Sequence, residues 1–257
     1  MNGQLENKVI LIAGAGGLLG SQIVAAALKQ GATVIAADLS VEDMKQRLKD
    51  IGVNTDDSAV LLTELDISDQ DSVRAIFEKS DKTIDGAVNA TYPRNRTYGK
   101  HFFDVNAASF NENVSLHLGS AFLFTQQAAA YFKNSNKPLS LVNLSSIYGV
   151  VAPKFEIYDN TSMTMPVEYA AIKSAIQHLS KYVAAYVNNS NFRINCVSPG
   201  GIFDNQPESF LHAYAARTHG AGMLDVRDVV GSVLFLLSEQ SRYVTGQNII
   251  IDDGFSL

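Results

Sequence analysis

The sequence predicts an α/β protein: a doubly wound parallel sheet of about seven strands with helices on both faces. Three observations carry this expectation. Short β-branched runs, mostly apolar on both faces, recur along the chain, as strands buried on both sides require. Amphipathic segments of helical period separate them. Alternation of the two implies right-handed crossovers between parallel strands. With 257 residues, 46% hydrophobic and 18% charged, the chain can bury a substantial core, and residues 1–257 read as one domain.

Each element has a local cause. The first strand, Lys8–Ala13, runs into the glycine-rich segment Gly14–Gly20, and a helix over 18–30 follows, ended by Gly31. The second strand, Thr33–Asp38, leads to a helix over 41–52 that Ser40 is placed to cap. Strands at Ala59–Glu64 and Gly86–Asn89 bracket a helix over 69–80. Long helices over 107–134 and 167–188 lie either side of a strand at Leu139–Leu144, and the polar tracts Asn134–Lys137 and Asn188–Asn191 end them. A strand at Phe192–Ser198, helices over 206–219 and 226–238, and a strand at Asn248–Ile251 complete the alternation.

Composition removes several function classes. A net charge of −6 and an isoelectric point near 5.3 weigh against nucleic-acid binding. The single cysteine, Cys196, lies in an apolar run and reads as a small buried hydrophobe. One cysteine leaves no internal disulfide and no cysteine-rich metal site. No His/Asp/Glu cluster has metal-ligand spacing, and His178, His212 and His219 read as surface groups. No apolar run approaches the roughly 18 residues of a membrane span. The segment MNGQLENK lacks a signal-peptide core. The expectation is a cytoplasmic protein without membrane or nucleic-acid partners.

The chemistry-bearing residues cluster at strand ends. Gly14, Gly16, Gly17 and Gly20, between a strand and a helix, allow a tight turn and close approach of backbone to a pyrophosphate. Asp38, followed by Leu39, ends the second strand 18 positions beyond Gly20. There it can accept hydrogen bonds from an adenosine ribose and repel a 2′-phosphate, favouring NAD over NADP. It also fits a helix N-cap, a role for which Ser40 is better placed. Asp66-Ile67 and Asn89-Ala90 flank the same crevice, although Asp66 also fits the start of a turn. Tyr169 and Lys173, four positions apart, share a helix face. An ammonium beside a phenol lowers its pKa from about 10 and makes it a usable general base.

With Ser146, Ser198-Pro199-Gly200-Gly201 and Val244-Thr245-Gly246-Gln247, these segments resemble, in order and spacing, the short-chain dehydrogenase/reductase family over essentially the whole chain. The resemblance implies a Rossmann-type fold, a nicotinamide cofactor, a small-molecule substrate and a homo-oligomer, dimer or tetramer. The interfaces it implies are Asn248–Ile251 and helices like 107–134 and 167–188. It implies that Ser146 holds the substrate oxygen, that Tyr169 exchanges its proton, and that Lys173 lowers the phenol pKa and binds the nicotinamide ribose. Leu18 and Leu19 join the glycine loop as cofactor contacts. Pro199, Gly200 and Ile202 meet the nicotinamide end.

Departures from the family pattern are informative. Leu18 stands where the usual loop has glycine, and Gly14, Gly17 and Gly20 also fit the glycine spacing of the sugar-nucleotide-modifying branch. That branch usually carries an additional C-terminal region, for which this chain is too short. Thr91 replaces the glycine of an Asn-Ala-Gly turn, and Asp204 the threonine that often follows Pro-Gly. Ser146 and Tyr169 are 23 positions apart, more than usual, the added stretch being Pro153–Pro166. His117 falls where the family's helix-borne asparagine is expected. It is expected to replace that asparagine in a proton relay, as a neutral ring beside Lys173; a packed helical histidine is the other reading.

The run Ser145–Met165, the loop Tyr92–Asn95 and the ending Asp252–Phe255 are similar to flagellin-modification short-chain dehydrogenases of bacterial surface-sugar gene sets. That likeness implies an amino-sugar or sugar-phosphate precursor as substrate. Arg94, in a loop with Arg96, Lys100 and His101, suits an anionic sugar. Ser146, Tyr158 and Asn205 are the other expected substrate contacts. Asn95 and the 153–166 insertion are the expected lid, and Met163 and Met165 are candidate lining. An NAD-dependent oxidoreductase is the leading function. An epimerase or dehydratase recycling bound NAD, and a catalytically silent dinucleotide-binding regulator, are the alternatives; the intact Ser146, Tyr169 and Lys173 weigh against the last.

Overall fold

The computed structural model describes residues 3–220 and 222–257; Met1 and Asn2 of the polar N-terminal segment lie outside them. β1 (Val9–Ala13) leads to α1 (Leu18–Lys29), β2 (Thr33–Asp38) to α2 (Val41–Asp50), and β3 (Val60–Glu64) to α3 (Gln70–Glu78). β4 (Gly86–Asn89) is followed by α4 (Ala107–Asn113), a π-helical turn (Val114–Gly119) and α5 (Ser120–Ser135). β5 (Leu139–Leu144), α6 (Val167–Val187), β6 (Phe192–Pro199), α7 (Glu208–Ala215), α8 (Val226–Leu237) and β7 (Asn248–Ile251) follow. The strands form one parallel sheet in the order β3-β2-β1-β4-β5-β6-β7. The order reverses between β1 and β4, which opens a crevice beyond their carboxyl ends.

Successive strand side chains point to opposite faces, so each strand feeds two cores. Ile10 and Ile12 pack with Ile23 and Val24 of α1, Met44 and Leu48 of α2, and Val233 and Leu237 of α8. Leu11 and Ala13 face the other way, with Val73 and Phe77 of α3 and Phe124 and Phe132 of α5. Full burial of such side chains stabilises by about 1.5–3 kcal/mol each. Side chains cap most of the helix starts in this half of the sheet. Ser40 accepts from Asp43 N at 3.2 Å and Asp69 from Ser72 N at 2.7 Å. α1 is different: Gly17 offers no side-chain cap, and no acid stands in the first turn. Gly17, Leu18 and Leu19 at its start line the crevice. At the far end of the sheet, buried Arg193 donates to Leu236 O (2.8 Å) and Ser238 O (3.2 Å), satisfying carbonyls at the C-terminus of α8.

Most expected elements occur with ends trimmed by a few residues. The long helix expected over 107–134 is instead two helices joined by the π-turn. Within it Ser120 Oγ donates to Leu116 O, and His117 is buried. A π-turn inserts an extra residue into the helical circuit and re-aims the side chains around it.

Gly14 and Gly20 show why the first turn needs glycine. Gly14 has φ +82° and lies against the backbone of Ala90 and Thr91. A Cβ on Gly20 would sit 2.0 Å from Gly14 O, a backbone atom that cannot yield. Gly20→Ala is therefore expected to cost at least about 1–3 kcal/mol by overpacking. Gly231, exposed in α8 with open space around it, is the control: Gly231→Ala should add about 0.5–1 kcal/mol. Thermal melts followed by circular dichroism check both signs.

Candidate active site

The crevice beyond β1, β2 and β4 has a volume of about 1060 Å³. Gly14, Gly16, Gly17, Leu18 and Leu19 line one side, Asp38, Leu39, Asp66 and Ile67 another, and Ala90 to Arg94 a third. Asp38 Oδ2 accepts from Gly16 N (2.8 Å) and Oδ1 from Leu39 N (2.8 Å), while Ser40 caps α2. Asp66 lines the crevice and also makes a turn, its Oδ1 accepting from Ser68 N at 2.9 Å. Two expected contacts stand behind the lining. Gly20 serves the close packing against Gly14. Asn89 Oδ1 accepts from Thr91 N (3.1 Å) and Thr91 Oγ1 (2.7 Å), so it fixes the turn that presents Ala90. An uncapped helix N-terminus, a cradle closed to any Cβ at Gly14 and a carboxylate at the end of β2 fit a dinucleotide.

The crevice continues into a cavity of about 460 Å³ lined by Ser146, Tyr169, Lys173, Pro199, Gly200 and Ile202, among others. Ser146 accepts from Tyr148 N at 3.2 Å and hydrogen-bonds the Tyr169 hydroxyl. Lys173, 5% exposed, donates to Leu144 O at 2.9 Å and lies 3.4 Å from His117 Nε2. Burial holds the Lys173 ammonium down to about 8. Burial, then the Lys173 and Arg94 charges, push His117 down to about 2. The ring is neutral at physiological pH, so Nε2 can accept from the lysine. The expected lowering of the Tyr169 phenol by Lys173 is not what dominates. Burial raises it, the Ser146 hydrogen bond works against that, and the lysine's bonds go to Leu144 and His117.

Three residues at the site escaped the sequence reading. Gln177 Nε2 donates to Ser145 Oγ (2.9 Å), Ser146 O (3.2 Å) and Ser198 Oγ (3.2 Å), tying α6 to the ends of β5 and β6. Its place four residues beyond Lys173, on the same helix face, was the available signal. Tyr92 meets Tyr169 (5.5 Å between ring centroids) and His117 (5.1 Å) edge-on and hydrogen-bonds Tyr98. Tyr214 Oη accepts from Gly201 N at 2.6 Å. No spacing in the sequence flags either tyrosine.

The 153–166 insertion, expected as a lid, forms one wall of the cavity and is tied to neighbouring elements. Tyr158 lines the cavity, donates to Tyr148 Oη at 3.3 Å and packs on Phe210 at 5.1 Å. Lys154 Nζ donates to Phe255 O (2.7 Å), and Glu156 pairs with Arg217 (2.9 Å). Met163 and Met165 line the cavity. Asn95 is pinned as well: its N donates to Asn113 Oδ1 (2.9 Å) and its Nδ2 to Glu112 Oε2 (2.7 Å). Two expected substrate contacts fall elsewhere. Arg94 lines the crevice, not the cavity. Asn205 is exposed in a left-handed turn (φ 59°), while its neighbours Asp204 and Gln206 line the cavity. Lys173 is the one lysine or arginine in that lining.

Away from the site, His178 and His212 are exposed and Cys196 is buried. Among the described residues no group of three or more His, Cys, Asp or Glu is placed to hold a metal ion, and no helix is long and apolar enough to cross a membrane.

A family model described as enoyl-(acyl carrier protein) reductase matches residues 14–256. The chain is 39% identical over 258 residues to post-translational flagellin modification protein A of Campylobacter coli, covering 98% of this chain and 100% of that protein. It is 30% identical over 259 residues to a 3-oxoacyl-(acyl-carrier-protein) reductase of Thermotoga maritima, covering 98% of both. The crystal structure of a short chain dehydrogenase from Leptospira borgpetersenii with bound NAD+ superposes with a TM-score of 0.86 at 33% identity, covering 98% of this chain and 94% of that one. A matched family model, full-length relatives and a shared architecture agree with the geometry of crevice and cavity: the chain belongs to the short-chain dehydrogenase/reductase family of oxidoreductases.

Proposed function

We propose that this protein is an NAD-dependent dehydrogenase or reductase that acts on a carbinol or carbonyl carbon of a sugar or amino-sugar precursor in bacterial surface-glycan or flagellin glycosylation. The observation that carries the redox reading is the convergence of Ser146, Tyr169 and Lys173 on a cavity that opens into the dinucleotide crevice. Bound NAD supplies the hydride acceptor or donor. Ser146 Oγ holds the substrate oxygen, and the Tyr169 hydroxyl passes the proton to or from it. Lys173 supplies positive charge to this exchange and would hold the nicotinamide ribose. In this proposal neutral His117, 3.4 Å from Lys173, replaces the family's asparagine in the proton relay. The glycan reading rests on likeness to flagellin modification protein A along the whole chain. It also rests on the cavity's hydroxyl-bearing lining, Tyr148, Tyr158, Tyr214 and Thr164. A homo-oligomer is part of the same proposal: Val114, Leu118, Phe122, Ala175 and Leu179 form an apolar groove between α5 and α6, suited to a second copy.

Screening phosphorylated, amino and nucleotide-linked sugars with NAD and NADH at 340 nm tests the reaction class. Turnover without a stoichiometric NADH signal would favour the epimerase or dehydratase reading.

Tyr169→Phe should lose about 10²–10⁴-fold in turnover, the usual loss for a positioned acid or base, while binding NAD nearly as wild type. Retention of more than about a tenth of the rate would remove the phenol from the proton step. Asp38→Ala should erode discrimination against NADP by removing a repulsive charge. Equal wild-type affinity for NAD and NADP, measured by calorimetry, would contradict this role.

His117→Asn should keep substantial activity and His117→Leu should lose it with the fold intact. Because burial holds His117 down at about 2, its neutral form prevails throughout the assay range. The pH–rate profile of wild type should therefore show no His117 limb near pH 6.5, and His117→Asn should leave the profile unchanged there. A limb that disappears in the asparagine variant would mean that the ring titrates during turnover.

A further inference from the structure

We infer that Arg94 is the counter-ion of the dinucleotide's pyrophosphate and not a substrate contact; this rests on the dinucleotide-binding reading above. The crevice is rich in carboxylates: Asp38, Asp43, Asp66 and Asp204 line it, and Arg94 is the one lysine or arginine among its lining residues. A pyrophosphate entering that field is repelled by carboxylates unless a cation answers it. The uncapped N-terminus of α1 offers N–H groups on the glycine-loop side. Arg94 lies on the segment that faces that loop, since Gly14 packs directly against Ala90 and Thr91. The two kinds of donor thus line the same crevice from different chain segments.

Arg94 is also held in place. Its guanidinium carbon lies 4.8 Å from the centroid of the Tyr92 ring. Tyr92 is fixed by its hydrogen bond to Tyr98 and by edge contacts with Tyr169 and His117. A stacked guanidinium keeps its planar fork free for two oxygens of a phosphate, which a lysine cannot match. Tyr92 itself borders both spaces, whereas Arg94 lines the crevice and not the cavity that receives the substrate. The arrangement separates the two anion questions: the cofactor has a dedicated arginine, and the substrate cavity has none.

The test is calorimetric titration of wild type, Arg94→Ala and Arg94→Lys with NAD, ADP-ribose and adenosine. ADP-ribose carries the pyrophosphate without the nicotinamide, and adenosine carries neither. Arg94→Ala should weaken NAD and ADP-ribose alike by at least about tenfold and leave adenosine unchanged. Arg94→Lys should fall between, and the dependence of the NAD affinity on KCl should flatten in Arg94→Ala. Unchanged affinity for NAD and ADP-ribose, or an equal loss for adenosine, would overturn the inference. So would a rise in substrate KM with NAD affinity intact, which would return Arg94 to the substrate. If wild type bound neither NAD nor ADP-ribose, the dinucleotide reading would fall with it; if wild type and Arg94→Ala bound both equally, only this inference would fall.

Discussion

A buried ammonium organises the site. Lys173 is almost sealed from water, and a charge in that position is costly unless its donors are used. Leu144 O takes one donor and His117 Nε2 stands beside another. The first partner is the last residue of β5, the second lies in the π-turn, and the lysine itself is on α6. Three elements far apart in the chain must meet around one nitrogen. A histidine can serve there because its own burial keeps it uncharged. A protonated ring at 3.4 Å would add a second unshielded cation to the first.

Tyr92 joins the two halves of the site. It lines both the crevice and the cavity, and its ring touches Tyr169 and His117 edge-on. Such contacts fix ring orientation and contribute about 0.5–1.5 kcal/mol each beyond area burial. Gln177 does the corresponding work with hydrogen bonds, holding Ser145, Ser146 and Ser198 at one spacing. The Ser146 and Tyr169 hydroxyls therefore sit at a strand end and on a helix rather than on free loops, which keeps their separation fixed.

The insertion between Ser146 and Tyr169 shapes the cavity by the same logic. Its exposed pair, Glu156 with Arg217, contributes little, since solvent screens it. Aromatic packing holds it instead: Tyr158 on Phe210, Phe210 on Tyr214, and Tyr214 stacked on Phe255 at 4.5 Å. The C-terminal Phe255 thereby supports the cavity wall from behind, and Tyr214 passes the constraint to Gly201.

The sheet, its parallel order and the glycine cradle were legible in the sequence because they depend on local pattern. A two-sided apolar run such as Val9–Ala13 can hardly be satisfied except between two helical layers. Tyr169 and Lys173 were legible for a similar reason, since helical periodicity alone puts them on one face. The π-turn at Val114–Gly119 was not, because Gly119 is its one local sign and helical periodicity does not distinguish a π-turn from a continuous helix. Nor was the side on which Arg94 lies: the sequence placed a basic loop beyond β4, but the Tyr92 ring under its guanidinium decides that it faces the crevice. Asn205 and Asp204 differ by one position, and a left-handed turn alone determines which of them lines the cavity. Periodicity and short motifs specify elements and the residues they carry, whereas side-chain direction at element ends is fixed by packing partners remote in sequence, which only the tertiary structure brings together.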